Sequence, residues 1–217
     1  MPRPKQRTPE LRDRVLSSAL ELLASVGIAG FTARSVARAA HTSTPAVYEL
    51  FGDKRGLVRE LYFAGFRALH ARLGTLADSG DARADLVATL ALYRAFIREN
   101  PVLAEVMLSR PFSDFDPSED ELEASGAVRA LIVERVRRGV EAGVLDGDET
   151  DLAHAIVALV QGLALAENAR RLGTSAESIE RRWQLAIDAL LAGLAPTAGL
   201  APAGSSGRTA PRASRGR

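Results

Sequence analysis

The sequence contains no cysteine, which excludes a disulfide framework and any thiolate metal site, and nothing in it asks for an oxidising compartment. No run approaches the roughly 18 uninterrupted apolar residues of a membrane span, and the opening residues, MPRPKQRT, lack an apolar signal core. A cytoplasmic protein with no membrane partner is expected. Histidine is scarce as well: His41, His70 and His154 fall in separate predicted elements, and none has a carboxylate at ligand spacing. That scatter argues against a metal cluster or a nucleophile–base set, so no metal, no cofactor and no catalytic residue are expected. Lysine is confined to Lys5 and Lys54 among 28 cationic residues; this arginine-heavy usage suggests a GC-rich genome.

What is present is a chain of 217 residues, 47% apolar, long enough to bury most of its apolar surface in one domain or two unequal ones. Its net charge of +1 conceals a segregation. Residues 1–59 carry 10 Lys/Arg against 5 Asp/Glu, residues 60–195 carry 14 against 22, and residues 196–217 carry 4 against 0. A basic head on an acidic body suits a nucleic-acid binder, because neutralising phosphates and releasing their counterions drives non-specific affinity. Charged helix ends alone could produce a similar count, so the motif in the head has to decide.

That motif is residues 31–59, FTARSVARAAHTSTPAVYELFGDKRGLVR. Thr32 has the chemistry of an N-cap, and Ala33 to Ala40 follow as a short helix with Val36, Ala37 and Ala40 facing inward. His41-Thr42 is long enough only for a turn. Ser43 caps a second helix, Thr44 to Leu50, which must therefore cross the first steeply, as in a helix-turn-helix. At barely two turns it needs support from behind by Val47, Leu50 and Phe51. Thr44, Pro45, Ala46, Tyr48 and Glu49 are left around its free face. Gly52 permits a left-handed exit, Asp53 can cap the next helix, and Lys54 and Arg55 sit where a phosphate could be met.

The run T-A-R-S-V-A-R-A-A-H-T-S-T-P-A-V-Y-E-L-F-G-D-K-R-G-L resembles the DNA-binding signature of the Tet-repressor-like family of bacterial transcription regulators, on Thr32, Tyr48, Phe51 and Lys54. Two positions depart from that pattern. His41 stands where glycine is usual and must tolerate positive φ, as His, Asn and Asp do more readily than most residues. Glu49 places an acid beside a phosphate backbone and is expected to turn away or meet Arg55. The resemblance implies that Tyr48 and Lys54 grip phosphates and that Arg34, Thr44, Pro45 and Ala46 face base edges, with Thr32 and Ser43 completing the DNA-binding set. Arg can pair bidentately with guanine, and Pro45 and Ala46 can touch a thymine methyl.

Along the rest of the chain, residues 1–8 read as a basic arm and Thr8-Pro9-Glu10 as a helix start, followed by a stripe of Leu11, Val15, Ala19, Leu22, Leu23 and Val26 that Gly27 ends. Asp53 begins a helix of about twenty residues reaching Leu73, a connector from head to body. Ala82 to Glu99 form another helix, stopped by Asn100-Pro101, and VLAEVMLSR a short one. In the stretch PFSDFDPSEDELEASG, Asp114, Asp116 and Asp120 imitate the opening of a calcium loop. Glu119 occupies its obligatory glycine position, so a solvated acidic loop is expected instead. Helices are expected over Ala127 to Ala142, from Asp148 or Thr150 to Leu172-Gly173, and from Thr174-Ser175 onward.

The last two of these helices are apolar over more than half their circumference, on Leu152, Ile156 and Leu163 in one and Trp183, Ile187, Leu190 and Leu191 in the other. Such helices need a deep core or a partner; these residues are expected to form a homodimer interface, with burial inside one subunit as the competing explanation. The stretches YRAFIRENPVLAEVMLSRPF and IVALVQGLALAENARRLG are similar to the regulatory domain of a Tet-repressor branch marked by a Trp and a His-Gly pair, with Gln161-Gly162 at the latter position. The resemblance implies an effector pocket for a small, largely apolar molecule. Its expected walls are Tyr93, Phe96, Met107, Phe112, Leu159, Gln161 and Leu163, any of which could instead be ordinary core. Gln161 could equally bond a neighbouring helix.

The expected protein is all-α, with about nine helices: a basic arm (1–8), a three-helix DNA-binding domain (9–56), an effector-binding and dimerisation domain (57–195) and a disordered basic tail (196–217). Its expected function is that of a homodimeric repressor on a palindromic double-stranded operator, controlled by an effector. A helical dimer of the same fold that binds protein instead of DNA is the alternative, and an enzyme is not expected.

Overall fold

Thr8 accepts the Leu11 N–H at 3.3 Å and Pro9 follows it, so the first helix, α1 (Pro9–Gly30), begins where a cap and a residue with pre-set helical φ place it. In this computed structural model, which describes residues 8–108 and 118–196, eight further helices follow. They are α2 (Ala33–Ala39), α3 (Thr44–Phe51), α4 (Lys54–Leu73), α5 (Ala82–Glu99), α6 (Pro101–Leu108), α7 (Glu119–Glu141), α8 (Glu149–Asn168) and α9 (Ala176–Gly193). Among the described residues there is no strand, so the architecture is all-α. The basic arm up to Arg7, the loop with Phe112, Asp114 and Asp116, and the tail from Thr197 lie outside the described residues.

Helix starts follow side-chain chemistry. Thr32, Ser43, Asp53, Asp81, Asp148 and Ser175 each accept a backbone N–H in the first turn of α2, α3, α4, α5, α8 and α9, an interaction worth about 1 kcal/mol apiece. The regular run of α1 breaks at Gly27, where φ is 65° and ψ −178°, and one more helical turn carries the chain to Phe31.

Two cores form. The head packs α1, α2, α3 and the first turns of α4 around Val15, Phe31, Val36, Val47, Leu57 and Leu61, all 2% exposed or less. The body packs the end of α4 with α5 to α9 around Leu69, Leu86, Tyr93, Ile97, Ile132, Ile156 and Trp183. Helix α6 enters both: Val106 belongs to the head core, while Leu103, Ala104 and Met107 belong to the body core. It lies so close to α4 that a Cβ at Gly65 would stand 2.7 Å from Met107 Cγ and 3.1 Å from Leu103 Cδ1. Gly56 is confined in the same way, since a Cβ there would overlap the Phe51 carbonyl oxygen at the junction of α3 and α4.

Three sequence expectations need correction. Leu152, Ile156, Trp183, Ile187 and Leu191 are each no more than 7% exposed inside this chain's own body core, because the apolar stripe of each helix turns inward first; Leu163 and Leu190 are partly buried against the same core. The acidic segment is not wholly loop, since α7 starts at Glu119, which is exposed. Helix α8 ends at Asn168, with Arg170 in the left-handed region at φ 56°, rather than running to Leu172-Gly173.

A polar node ties α5, α8 and α9 together. Arg94 donates to both carboxylate oxygens of Glu167 at 2.8 and 3.2 Å and to Glu180 at 2.7 Å, and the Trp183 indole N–H donates to Glu167 at 2.7 Å. The guanidinium carbon lies 4.4 Å from the Trp183 ring centroid. Both charged side chains are nearly buried, at 12% and 11% exposure. Burial opposes the charge on Arg94, but the bonds to Glu167 and Glu180 outweigh it and raise its pKa.

Glu167→Ala leaves Arg94 with the exposed Glu180 as its remaining carboxylate and the Trp183 N–H without its acceptor. It is expected to lower unfolding free energy by about 1–3 kcal/mol in urea titrations and to shift the emission of Trp183, the single tryptophan. A second expectation concerns the head: in Gly56→Ala the added methyl must displace backbone, so thermal unfolding of the head should occur at lower temperature, by an amount equivalent to about 1–3 kcal/mol. An unchanged melting profile would show that the junction relaxes freely.

Candidate nucleic-acid interface and body cavity

The turn of the helix-turn-helix is built by backbone bonds that require His41 to be left-handed. His41, at φ 51°, follows the α2 C-cap; its N–H donates to Arg38 O at 3.2 Å and the Thr42 N–H to Ala37 O at 2.9 Å. This is the paired closure usually made with glycine at that position, and histidine is among the residues that tolerate it. The departure seen in the sequence thus keeps the turn geometry.

Both ends of the reading unit are fixed. Thr32 and Ser35 form a reciprocal capping box at α2, with Ser35 N–H to Thr32 Oγ1 at 3.1 Å and Thr32 N–H to Ser35 Oγ at 3.0 Å. At α3, the Ala46 N–H donates to Ser43 Oγ at 3.3 Å. At α4, the Gly56 N–H donates to Asp53 Oδ1 at 2.8 Å. Val47 and Phe51 of α3 are buried at 1% and 8%, with Leu50 half-buried behind them.

The opposite face of α3 is open. Pro45, Glu49 and Tyr48 are exposed, Tyr48 to 50%, and Thr44 and Ala46 are half-buried beside them. Arg34 is exposed on the first turn of α2, next to the exposed Thr32, and Ser43 is exposed at the mouth of α3. Lys54 is half-buried at the start of α4, its Nζ 6.0 Å from the Phe31 ring centroid. All eight residues expected to meet DNA therefore lie on one small substructure, α2, the turn, α3 and the α4 entry, with no core role for the side chains of α3's outer face.

Two arginines that look like part of the basic surface serve the scaffold. Arg12 pairs with Glu60 at 2.7 Å, reaches Leu50 O at 3.5 Å and sits 5.0 Å over the Phe51 ring, while Arg14 Nε donates to Ala40 O at 3.1 Å. They bind α1 to the ends of α2 and α3. Nothing in their spacing distinguished them from phosphate-facing arginines, because the contacts span 26 to 48 residues of chain.

In the body, a half-open cavity of about 150 Å³ lies between Phe66 of α4, Tyr93 of α5, Ser125, Val128, Arg129 and Ile132 of α7, and Ala153, His154, Val157 and Gln161 of α8. Of the expected pocket walls, Tyr93 and Gln161 line it, joined by a Gln161 Nε2 to Tyr93 Oη bond of 2.9 Å. Burial pushes the Tyr93 hydroxyl pKa up, against the smaller opposing effect of that bond, so it remains a neutral donor. Phe96 and Met107 are fully packed core, at 4% and 3% exposure, and Leu159 and Leu163 pack at the edge of the core elsewhere. Phe112 lies outside the described residues. The missed lining residues recur at three- and four-residue spacing on α7 and α8, a pattern that marks one face of a helix but not whether that face meets a void.

Comparisons with known proteins find one family model in each part of the chain. A family model described as bacterial regulatory proteins, tetR family, matches residues 15–61, and one described as tetracyclin repressor-like, C-terminal domain, matches residues 86–190. No curated protein matches the sequence. A solved protein of unknown function from a Rhodococcus species is 27% identical, with TM-score 0.74 over 89% of this chain and 100% of its own. The TetR family transcriptional regulator PfmR from Thermus thermophilus shares the fold at 21% identity and TM-score 0.58, over 76% of this chain and 97% of its own. A single-residue variant of TetR from Acinetobacter baumannii, solved in complex with minocycline, does so at 23% identity and TM-score 0.59, over 82% and 93%. With a matching helix-turn-helix in front and a matching regulatory domain behind, the chain belongs to the tetR family of bacterial regulatory proteins and is a DNA-binding transcription regulator rather than an enzyme.

Proposed function

We propose that the protein is a homodimeric repressor that binds a palindromic operator and is controlled by a small, largely apolar effector held in the body. The observation that carries the DNA reading is the outer face of α3, where Thr44, Pro45, Ala46 and Tyr48 stand clear of the core on a helix whose other face is pinned. Arg34, Thr44, Pro45 and Ala46 are suited to base edges, and Tyr48 and Lys54 to the flanking phosphates. Two heads related by a two-fold axis would enter major grooves about 34–36 Å apart, or a multiple of that spacing.

Dimerisation is supported by what α8 and α9 leave uncovered. Helix α8 is apolar enough by length and composition to cross a membrane, yet only 28% of its apolar stretch is buried within this chain. Ala155, Ala158, Gly162 and Leu165 form its exposed stripe, and a Cβ on Gly162 would meet nothing within 4 Å. On α9, Leu185 is 70% exposed. The interface set differs from the one expected from sequence: these outward residues replace the inward Leu152, Ile156, Trp183, Ile187 and Leu191. A helix with one stripe in its own core and a second, small-residue stripe in solvent is suited to packing closely against a copy of itself. The cavity lined by Tyr93 and Gln161 is the place for an effector, and effector and operator binding would be coupled reciprocally by typically about 1–3 kcal/mol.

Selection from random duplexes with the full chain should enrich an inverted repeat; enrichment of no repeat, or of a single half-site, ends the repressor-on-palindrome reading. Leu185→Arg should convert the dimer to monomer in sedimentation velocity and weaken operator binding in the same preparation, whereas a dimer that survives the charge would move the interface off this face.

A further inference from the structure

We infer that the body cavity takes a monocyclic carboxylic acid of about benzoate size, its ring in the apolar interior and its carboxylate on Arg129. This deepens the proposed effector site and rests on that reading of the cavity. The size comes first. A void of about 150 Å³ is one that a single benzene ring can occupy, so a polycyclic effector would require the helices to part. Its depth is apolar: Val128, Ile132 and Ala153 are buried at 4%, 1% and 3%, with the half-buried Phe66 and Val157 beside them.

Charge supplies the second part. Arg129 and His154 line the same cavity and are exposed, so they belong to its rim rather than its floor. The body is acidic, and its other cavity-side helices show what an arginine does there when a carboxylate is in reach: Arg94 takes Glu167 and Glu180, and Arg135 and Arg138 of α7 itself both take Asp78. Arg129, on the same helix, makes no hydrogen bond or ion pair with any described residue. His154 stands on the same rim with Nδ1–H donating to the Thr150 carbonyl at 2.8 Å, which leaves Nε2 of the neutral ring as an acceptor, so the carboxylate falls to Arg129 alone. A half-open, apolar-floored void with a planar five-donor cation at its edge matches an acid that can place both oxygens on one guanidinium. The neutral donor Tyr93 and its partner Gln161 offer hydrogen bonds to a substituent on the ring.

The test is calorimetric titration of the full-length protein with benzoate and with benzamide, which has the same ring and shape without the charge. Benzoate should bind about ten- to a hundredfold more tightly than benzamide, the ratio expected for a charge-assisted bond. Arg129→Gln should bring benzoate to the affinity of benzamide and leave benzamide unchanged. Val157→Phe, which fills the cavity from a half-buried position, should remove binding of both. Equal affinity for the two probes, benzoate affinity unchanged in Arg129→Gln, benzoate binding that survives Val157→Phe, or no binding by the wild type would each overturn the inference. Gel shift of the ligand-free protein on its selected operator is read beside it: retained operator binding with failed titrations removes only the acid, and failed operator binding with successful titrations removes the repressor reading instead.

Discussion

A helix of eight residues does not persist in water by itself, and α3 is such a helix. Everything in the head answers that constraint. Val47 and Phe51 are buried against the Phe31–Val36–Leu57 core, Ser43 caps the start, and Gly56 lets α4 begin directly beneath the Phe51 carbonyl. Arg12 and Arg14 hold the carbonyls of Leu50 and Ala40 from behind. Once one face is secured in this way, the other can carry Thr44, Pro45, Ala46 and Tyr48 without any duty to stability. Separation of the two faces means that a substitution on the outer one leaves the packing of Val47 and Phe51 untouched.

The body meets a different demand. Its helices leave a void between them, and the strong polar fastenings lie outside its lining. Arg94, Glu167, Glu180 and Trp183 fasten α5, α8 and α9 on one side, and Arg135 and Arg138 fasten α7 to the Leu76–Asp78 segment on another. The cavity itself is lined by Gln161 and Tyr93, bonded to each other, with Ser125, Arg129 and His154 as its other polar residues. Because Val106 sits in the head core and Met107 in the body core, α6 makes the two packing units adjacent through consecutive residues, and the bare Gly65 surface of α4 keeps that contact short.

Much of this was legible along the chain, and the reason is locality. Caps at Thr32, Ser43, Asp53 and Ser175, the bend at Gly27 and the left-handed turn at His41 are decided within about four residues, by hydrogen-bond reach and permitted φ. The same locality made the head motif recognisable, since all of its expected DNA-facing positions fall between Thr32 and Lys54. Where the expectation concerned which of two apolar stripes faces inward, it went astray: Leu152, Ile156, Trp183, Ile187 and Leu191 were as apolar as an interface needs, and the chain's own core took them.

The amino-acid order alone determined that these helices form, their N-terminal caps, the basic head and the head motif, though not the start of α7 or the end of α8, because caps and helix formation depend on neighbours in sequence and on a periodicity of 3.6 residues. Tertiary packing alone decided which walls surround a void and which arginines brace the scaffold rather than face a phosphate. It also decided which stripe of α8 stays in solvent. Contacts such as Gln161 with Tyr93, 68 residues apart, or Arg94 with Glu180, 86 residues apart, exist only once the helices have crossed, and no local rule contains the crossing.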